Sequence, residues 1–129
     1  MKAELVNDWE YVVRSLIGFL VKDGIEVYAV NNGDDEWIET TNKKKLAETC
    51  CECDEGNLRV RLKGETERLG TLWIVLGNSP SELVADASYP AKRSEEFDKI
   101  VEPAWDKFMA YWEKRGNACP KRERNAQGC

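Results

Sequence analysis

The sequence predicts a single α+β domain, ordered α-β-β-α-β-β-β-α, in which helices pack a five-stranded, mainly antiparallel sheet. Three observations predict it. Apolar residues recur at helical spacing near both ends of the chain, over residues 3–22 and 94–115. Two β-rich runs flank the turn sequence Asn31-Asn32-Gly33-Asp34-Asp35. Three further β-patterned runs lie between residues 57 and 88, joined by connections too short for parallel crossovers.

In the first helix Leu5, Trp9, Val12, Val13, Leu16, Ile17 and Leu20 form one stripe, and Lys22 and Gly24 suit its exit. Tyr11 and Phe19 fall off that stripe, which predicts a helix apolar on two sides and covered by something further, a partner subunit being one candidate. Residues 25–30 and 36–40 form the hairpin. Asn42 caps a short helix over about residues 43–53, with Leu46, Ala47, Cys50 and Cys53 on its buried face. Residues 57–63 alternate, placing Leu58, Val60 and Leu62 on one side and Arg59, Arg61 and Lys63 in solvent. Residues 71–76 are continuously apolar, which predicts a central strand covered on both faces. Residues 77–81 turn the chain and residues 83–88 add the last strand. Ser94 caps the final helix, and Glu95 and Glu96 suit its first turn. Phe97, Ile100, Val101, Ala104, Trp105, Phe108, Tyr111 and Trp112 line its apolar side. Pro103 predicts a kink or a division near Val101 and Glu102, and Gly116 stops the helix. The domain is expected over residues 1–116 and a basic tail over 117–129.

The chain has 129 residues, a formal net charge of −5, five Trp, five Cys and no His. The missing His excludes Ser-His and Cys-His catalytic pairs, a His general base and a His metal ligand. Residues 114–129 carry Lys114, Arg115, Lys121, Arg122 and Arg124 against Glu123, a net +4, so residues 1–113 carry −9. An acidic body disfavours nucleic acid and anionic membranes, both polyanionic. The basic tail reads as a solvated end. No apolar run approaches the roughly 18 residues of a membrane helix, and no signal peptide precedes the domain, so a cytoplasmic location is expected.

Cys50, Cys51 and Cys53 lack zinc-finger or zinc-ribbon spacing, and the other two thiols, Cys119 and Cys129, sit in the tail. They read as small buried residues, with a metal or redox role as the minor alternative. No cofactor and no metal are expected. Trp9, Trp73, Trp105 and Trp112 read as core. The functional alternative is a pocket lined by Trp73 and Trp105 with a carboxylate such as Asp86 or Glu39 nearby, suited to a cationic organic ligand. Trp37 follows the acidic turn at Asp34 and Asp35 on a hairpin that is a candidate sheet edge, so these three residues mark a candidate interaction surface. No carboxylate pair has hydrolase spacing, and residues 77–81 lack the glycine pattern and Lys of a phosphate loop.

The segments Gly56-Asn57-Leu58-Arg59-Val60-Arg61-Leu62, Leu72-Trp73-Ile74-Val75-Leu76-Gly77-Asn78 and Glu82-Leu83-Val84-Ala85-Asp86 resemble the small orphan proteins of mobile DNA, encoded by phage accessory genes and integron gene cassettes. The element order is similar to the roadblock and profilin-like α+β folds. The resemblance implies a small soluble protein and association through a sheet edge or helix face, hence a homodimer. It carries over no functional residue.

The leading expectation is a non-enzymatic protein-binding, adaptor or inhibitor module with an acidic surface. The alternative is a small-molecule module with a Trp-lined pocket. Least favoured is an enzyme using Asp, Glu, Tyr or Lys, which needs a buried carboxylate with a raised pKa in a cleft. A cavity touching Trp73 and Asp86 favours the ligand module; a filled core with an exposed Trp37 favours the adaptor.

Overall fold

A computed structural model describes residues 2–33 and 36–117, with side chains from Trp9 onward. Asp34, Asp35, the Leu5 side chain and the tail from residue 118 lie outside the described residues.

Helix α1 (Lys2–Lys22) buries Val12, Val13, Leu16, Ile17 and Leu20, the stripe that its periodicity predicts. Gly24, at φ +83°, turns the chain out of it. Strand β1 (Ile25–Asn31) then pairs with the short β2 (Ile38–Glu39). Helix α2 (Lys43–Cys50) starts at Asn42, whose side chain accepts the Lys45 N–H at 2.9 Å. It ends at Cys50, earlier than expected. Cys51 serves as its C-cap and stays buried, whereas Cys53 lies past the helix end and is exposed. The expected helical face shared by Cys50 and Cys53 is therefore not formed.

Strands β3 (Glu55–Leu62), β4 (Gly70–Val75) and β5 (Val84–Ser88) complete a sheet of order β2-β1-β3-β4-β5. Every neighbouring pair is antiparallel. Before the last helix a 3-10 turn (Ala91–Arg93) runs straight into α3 (Ser94–Glu96). Ser94 thus sits inside helical backbone and makes no capping bond, a correction to the expected helix start. A π segment (Phe97–Val101) leads into α4 (Glu102–Lys114). The division falls where Pro103 predicts it, because a residue without an N–H leaves the carbonyl one turn earlier without its helical donor.

Ile25, Val27 and Val30 of β1, Leu58 and Val60 of β3, and Leu72 and Ile74 of β4 meet the helices in one core cluster. From the helical layer Leu16, Leu46, Phe97, Phe108 and Trp112 enter the same cluster. The off-stripe aromatics of α1 face α4 of the same chain. Phe19 lies 6.2 Å from Phe108 and 5.6 Å from Tyr111, and Tyr11 lies edge-on to Trp112 at 6.1 Å.

Arg93 fastens the loop before β4 to the helical layer. Its side chain is buried and donates to Glu96, to Glu67 at 3.0 Å and to Glu65 at 3.1 Å. The Lys92 ammonium bonded to Glu67, with Arg93 beside it, holds that carboxyl below the usual carboxylate range.

The helices cover one face of the sheet. Along β4, Leu72 and Ile74 are buried while Trp73 between them is 41% exposed. The expectation that β4 is covered on both faces is therefore corrected. All three long helices lie on one side, so the apolar run is half solvent-facing. Among the described residues no helix is long and apolar enough to cross a membrane.

Candidate functional site

Residues directly opposite each other in an antiparallel ladder project to the same side. That rule reads the uncovered face from the register. Asn57, Trp73 and Asp86 form one row across β3, β4 and β5. Ala29, Arg59, Thr71 and Ser88 form the next. Glu26 and Arg61 form a third. Bulges after Val27 and after Trp73 shift the register, and they decide which side chains align.

The face is ordered by arginine stacking. The Arg59 guanidinium lies 3.9 Å over the Trp37 ring, and the Arg61 guanidinium 4.4 Å over Tyr28. Arg61 also donates to Glu26 Oε1 at 2.7 Å, so one cation is held between a ring and a carboxylate. Arg68 donates to the Thr71 hydroxyl at 2.8 Å. The Trp73 indole N–H donates to Glu55 Oε1 at 2.9 Å, which fixes the ring's orientation. Asp86 accepts the Ala87 backbone N–H at 2.8 Å and pairs with no cation among the described residues.

Trp73 and Asp86 border a cleft of about 130 Å³, with Asn57, Thr71, Ala87 and Ser88 as the rest of its lining. The structure thus sets side by side two of the three residues expected to line a pocket. Trp105 does not join them. It stands on α4, where it packs half-buried against the core cluster on the helical side. Its indole N–H is buried without an acceptor. Trp37 lies half-buried on the same sheet face as Trp73, beneath Arg59, and is not an isolated exposed ring. Glu39 is opposite Ala29, one strand further out. Of the four Trp expected in the core, Trp112 is fully buried, Trp9 and Trp105 pack half-buried against the core, and Trp73 is exposed. Residue type alone does not single out Glu55, Asn57, Thr71 and Ser88 as members of the site. The alternation that sends Arg59 and Arg61 to solvent is the signal that could have found Asn57.

A wider cleft of about 450 Å³ lies between the Gly77–Pro80 turn and the end of α4, lined also by Glu82, Gly116 and Asn117. The Asn117 side-chain oxygen there accepts the Ser81 N–H at 2.8 Å. Residues 77–81 act as a turn in this setting.

The cysteines are set by burial. Cys50 is pushed up to about 12 by loss of solvent, and Cys51 is raised further by burial and by Cys50 beside it. Both thiols are protonated at neutral pH, whereas the thiolate is the ligand and nucleophile. Among the described residues no group of three or more Cys, Asp or Glu is placed to hold a metal ion.

Glu10, on α1 beside α2, has its carboxyl raised, first by burial and next by Glu48, with Arg14 and Lys44 opposing. It lines neither cleft. A carboxyl whose folded pKa is raised weakens the fold above that value, and the penalty fades as pH falls toward the ordinary value of 4.5. Glu10→Gln is therefore expected to raise the denaturation midpoint at pH 7. The gain should close as pH is lowered toward 4.5, and a gain independent of pH would remove this assignment.

Compared with known proteins, the chain matches no family model, and neither a curated protein nor a solved structure matches it significantly.

Proposed function

We propose that this chain is a non-enzymatic protein-binding module that docks its partner on the uncovered face of the sheet, around Trp73. One observation carries the reading. A large aromatic side chain stands exposed on β4, next to the edge strand β5, of an otherwise ordered sheet face. Trp is among the residue types enriched at the energetic centres of protein interfaces. Arg59, Arg61 and the Trp73 indole are already held by stacking or hydrogen bonds, so little side-chain freedom is lost on docking. The −9 charge of residues 1–113 favours a basic partner and raises its association rate. Trp37 is half-buried, so the docking reading moves from Trp37 to Trp73, and the cleft that does border Trp73 and Asp86 is too small to favour the small-molecule reading. At about 130 Å³ it is smaller than the roughly 300 Å³ at which ligand pockets begin.

The test is photo-crosslinking in the native host, from probes placed at Thr71 or Ser88 on the sheet face and at Asp98 on the helical side. The expected result is a discrete adduct from the sheet positions that disappears with Trp73→Ala. An adduct of twice the chain's mass identifies a second copy as the partner. Equal adducts from both sides, or an adduct indifferent to Trp73→Ala, would sink the reading.

A further inference from the structure

We infer that the cleft between Trp73 and Asp86 receives the guanidinium of an arginine side chain presented by the docked partner. The inference rests on the reading of this sheet face as a protein-docking surface and names the group that the face recognises.

The argument comes from the face itself. It carries three aromatic rings, Tyr28, Trp37 and Trp73. Two of them already hold an arginine of this chain, at 4.4 Å and 3.9 Å. At Tyr28 the arrangement is complete, because Arg61 stacks on the ring and bonds Glu26. At Trp73 the ring and the carboxylate are present, directly opposite each other in the β4–β5 ladder, and no cation of the described chain lies between them. The nearby arginines already have partners of their own. Arg59 lies on Trp37, and Arg68 bonds the Thr71 hydroxyl at the cleft's edge.

Arginine fits this gap better than lysine. Its planar guanidinium stacks on an indole face and offers paired donors to one carboxylate, whereas an ammonium is a compact, strongly hydrated point charge. The cleft's size suits a headgroup, and Asn57 and Ser88 add side-chain oxygens around it. The Glu55 bond leaves the indole N–H occupied, so the ring presents its π system to the ligand. A nucleic-acid base could also stack on an exposed Trp, but Asp86 and Glu55 flank this ring with negative charge and repel phosphate.

The test is titration of the isotope-labelled full chain, read at the Trp73 indole N–H and the Ala87 amide. The probes are a blocked Gly-Arg-Gly peptide, its citrulline counterpart and an oligouridylate. The arginine peptide is expected to shift both signals saturably, and the uncharged citrulline peptide to leave them in place. Asp86 is exposed, so Asp86→Asn keeps the fold, and it should weaken the arginine peptide about tenfold. Asp98→Asn, on the helical side, should change nothing. Equal shifts with citrulline, unchanged affinity in Asp86→Asn, or saturation by the oligouridylate alone would each overturn the inference. The two proposals fail separately. A Trp73-dependent crosslink that Asp86→Asn leaves intact removes the arginine site but keeps the docking surface. Arginine binding without any crosslinked partner removes the docking surface instead.

Discussion

Trp112→Ala is expected to cost about 3–5 kcal/mol of unfolding free energy, out of the 5–15 kcal/mol typical of a domain. Trp112 is fully buried and is the largest side chain where α4 meets α1. Its indole N–H donates to the Ser15 hydroxyl at 3.2 Å, and the Tyr11 and Tyr111 rings pack edge-on at 6.1 Å and 5.4 Å. Truncation opens a cavity that two helices anchored on the sheet cannot close, and it strips Ser15 of its donor. Denaturant unfolding followed by far-UV dichroism measures the loss. Trp112→Phe keeps a ring in the space and should cost well under half as much. A loss below about 1.5 kcal/mol for Trp112→Ala would mean that the α1–α4 joint is not part of the cooperative core.

The helical layer is legible in the sequence because its signals are periodic. The stripe from Val12 to Leu20 and the Phe97–Trp112 pattern each have one solution, and Pro103 marks the break by chemistry alone. Helix ends are less legible. At Cys50 and Ser94 the boundary is decided by the adjoining backbone, a C-cap at Cys51 and a 3-10 turn running in from Ala91, and neither has a side-chain signature. The site is half legible. Trp73 and Asp86 stand out by residue type, but their pairing depends on a register that a bulge shifts by one residue. Trp105 stands out equally, and helical periodicity places it on the other layer. The apolar run over residues 71–76 misleads, because run length does not distinguish a doubly covered strand from one that exposes a single Trp. Only the count of layers decides that, and it is a property of the whole chain.

Gly56→Ala is expected to cost about 3 kcal/mol and to disturb the cleft as well as the fold, at the upper end of what one added methyl does in a packed interior. Gly56 is a buried position of β3 opposite Ile74. A Cβ there would lie 2.6 Å from the Asn31 backbone oxygen and 3.2 Å from the Cys50 sulfur. Asn31 is fixed by its pairing with Asn57, and Cys50 is the last residue of α2, so neither atom moves alone. Relief requires either opening the β1–β3 ladder or lifting the end of α2 off the sheet. Both displace Glu55 and Asn57, the neighbours that hold and flank Trp73. The signature is therefore double: a lower denaturation midpoint, and a shifted Trp73 indole N–H in the folded population at low denaturant. Gly18→Ala supplies the opposite sign. Its nearest neighbour to a new Cβ is the flexible Lys43 Nζ at 3.9 Å, and alanine in mid-helix should stabilise by about 0.5–1 kcal/mol. Were Gly56→Ala as stable as the parent, the close approach of the Asn31 carbonyl and of Cys50 to this point of β3 would be wrong.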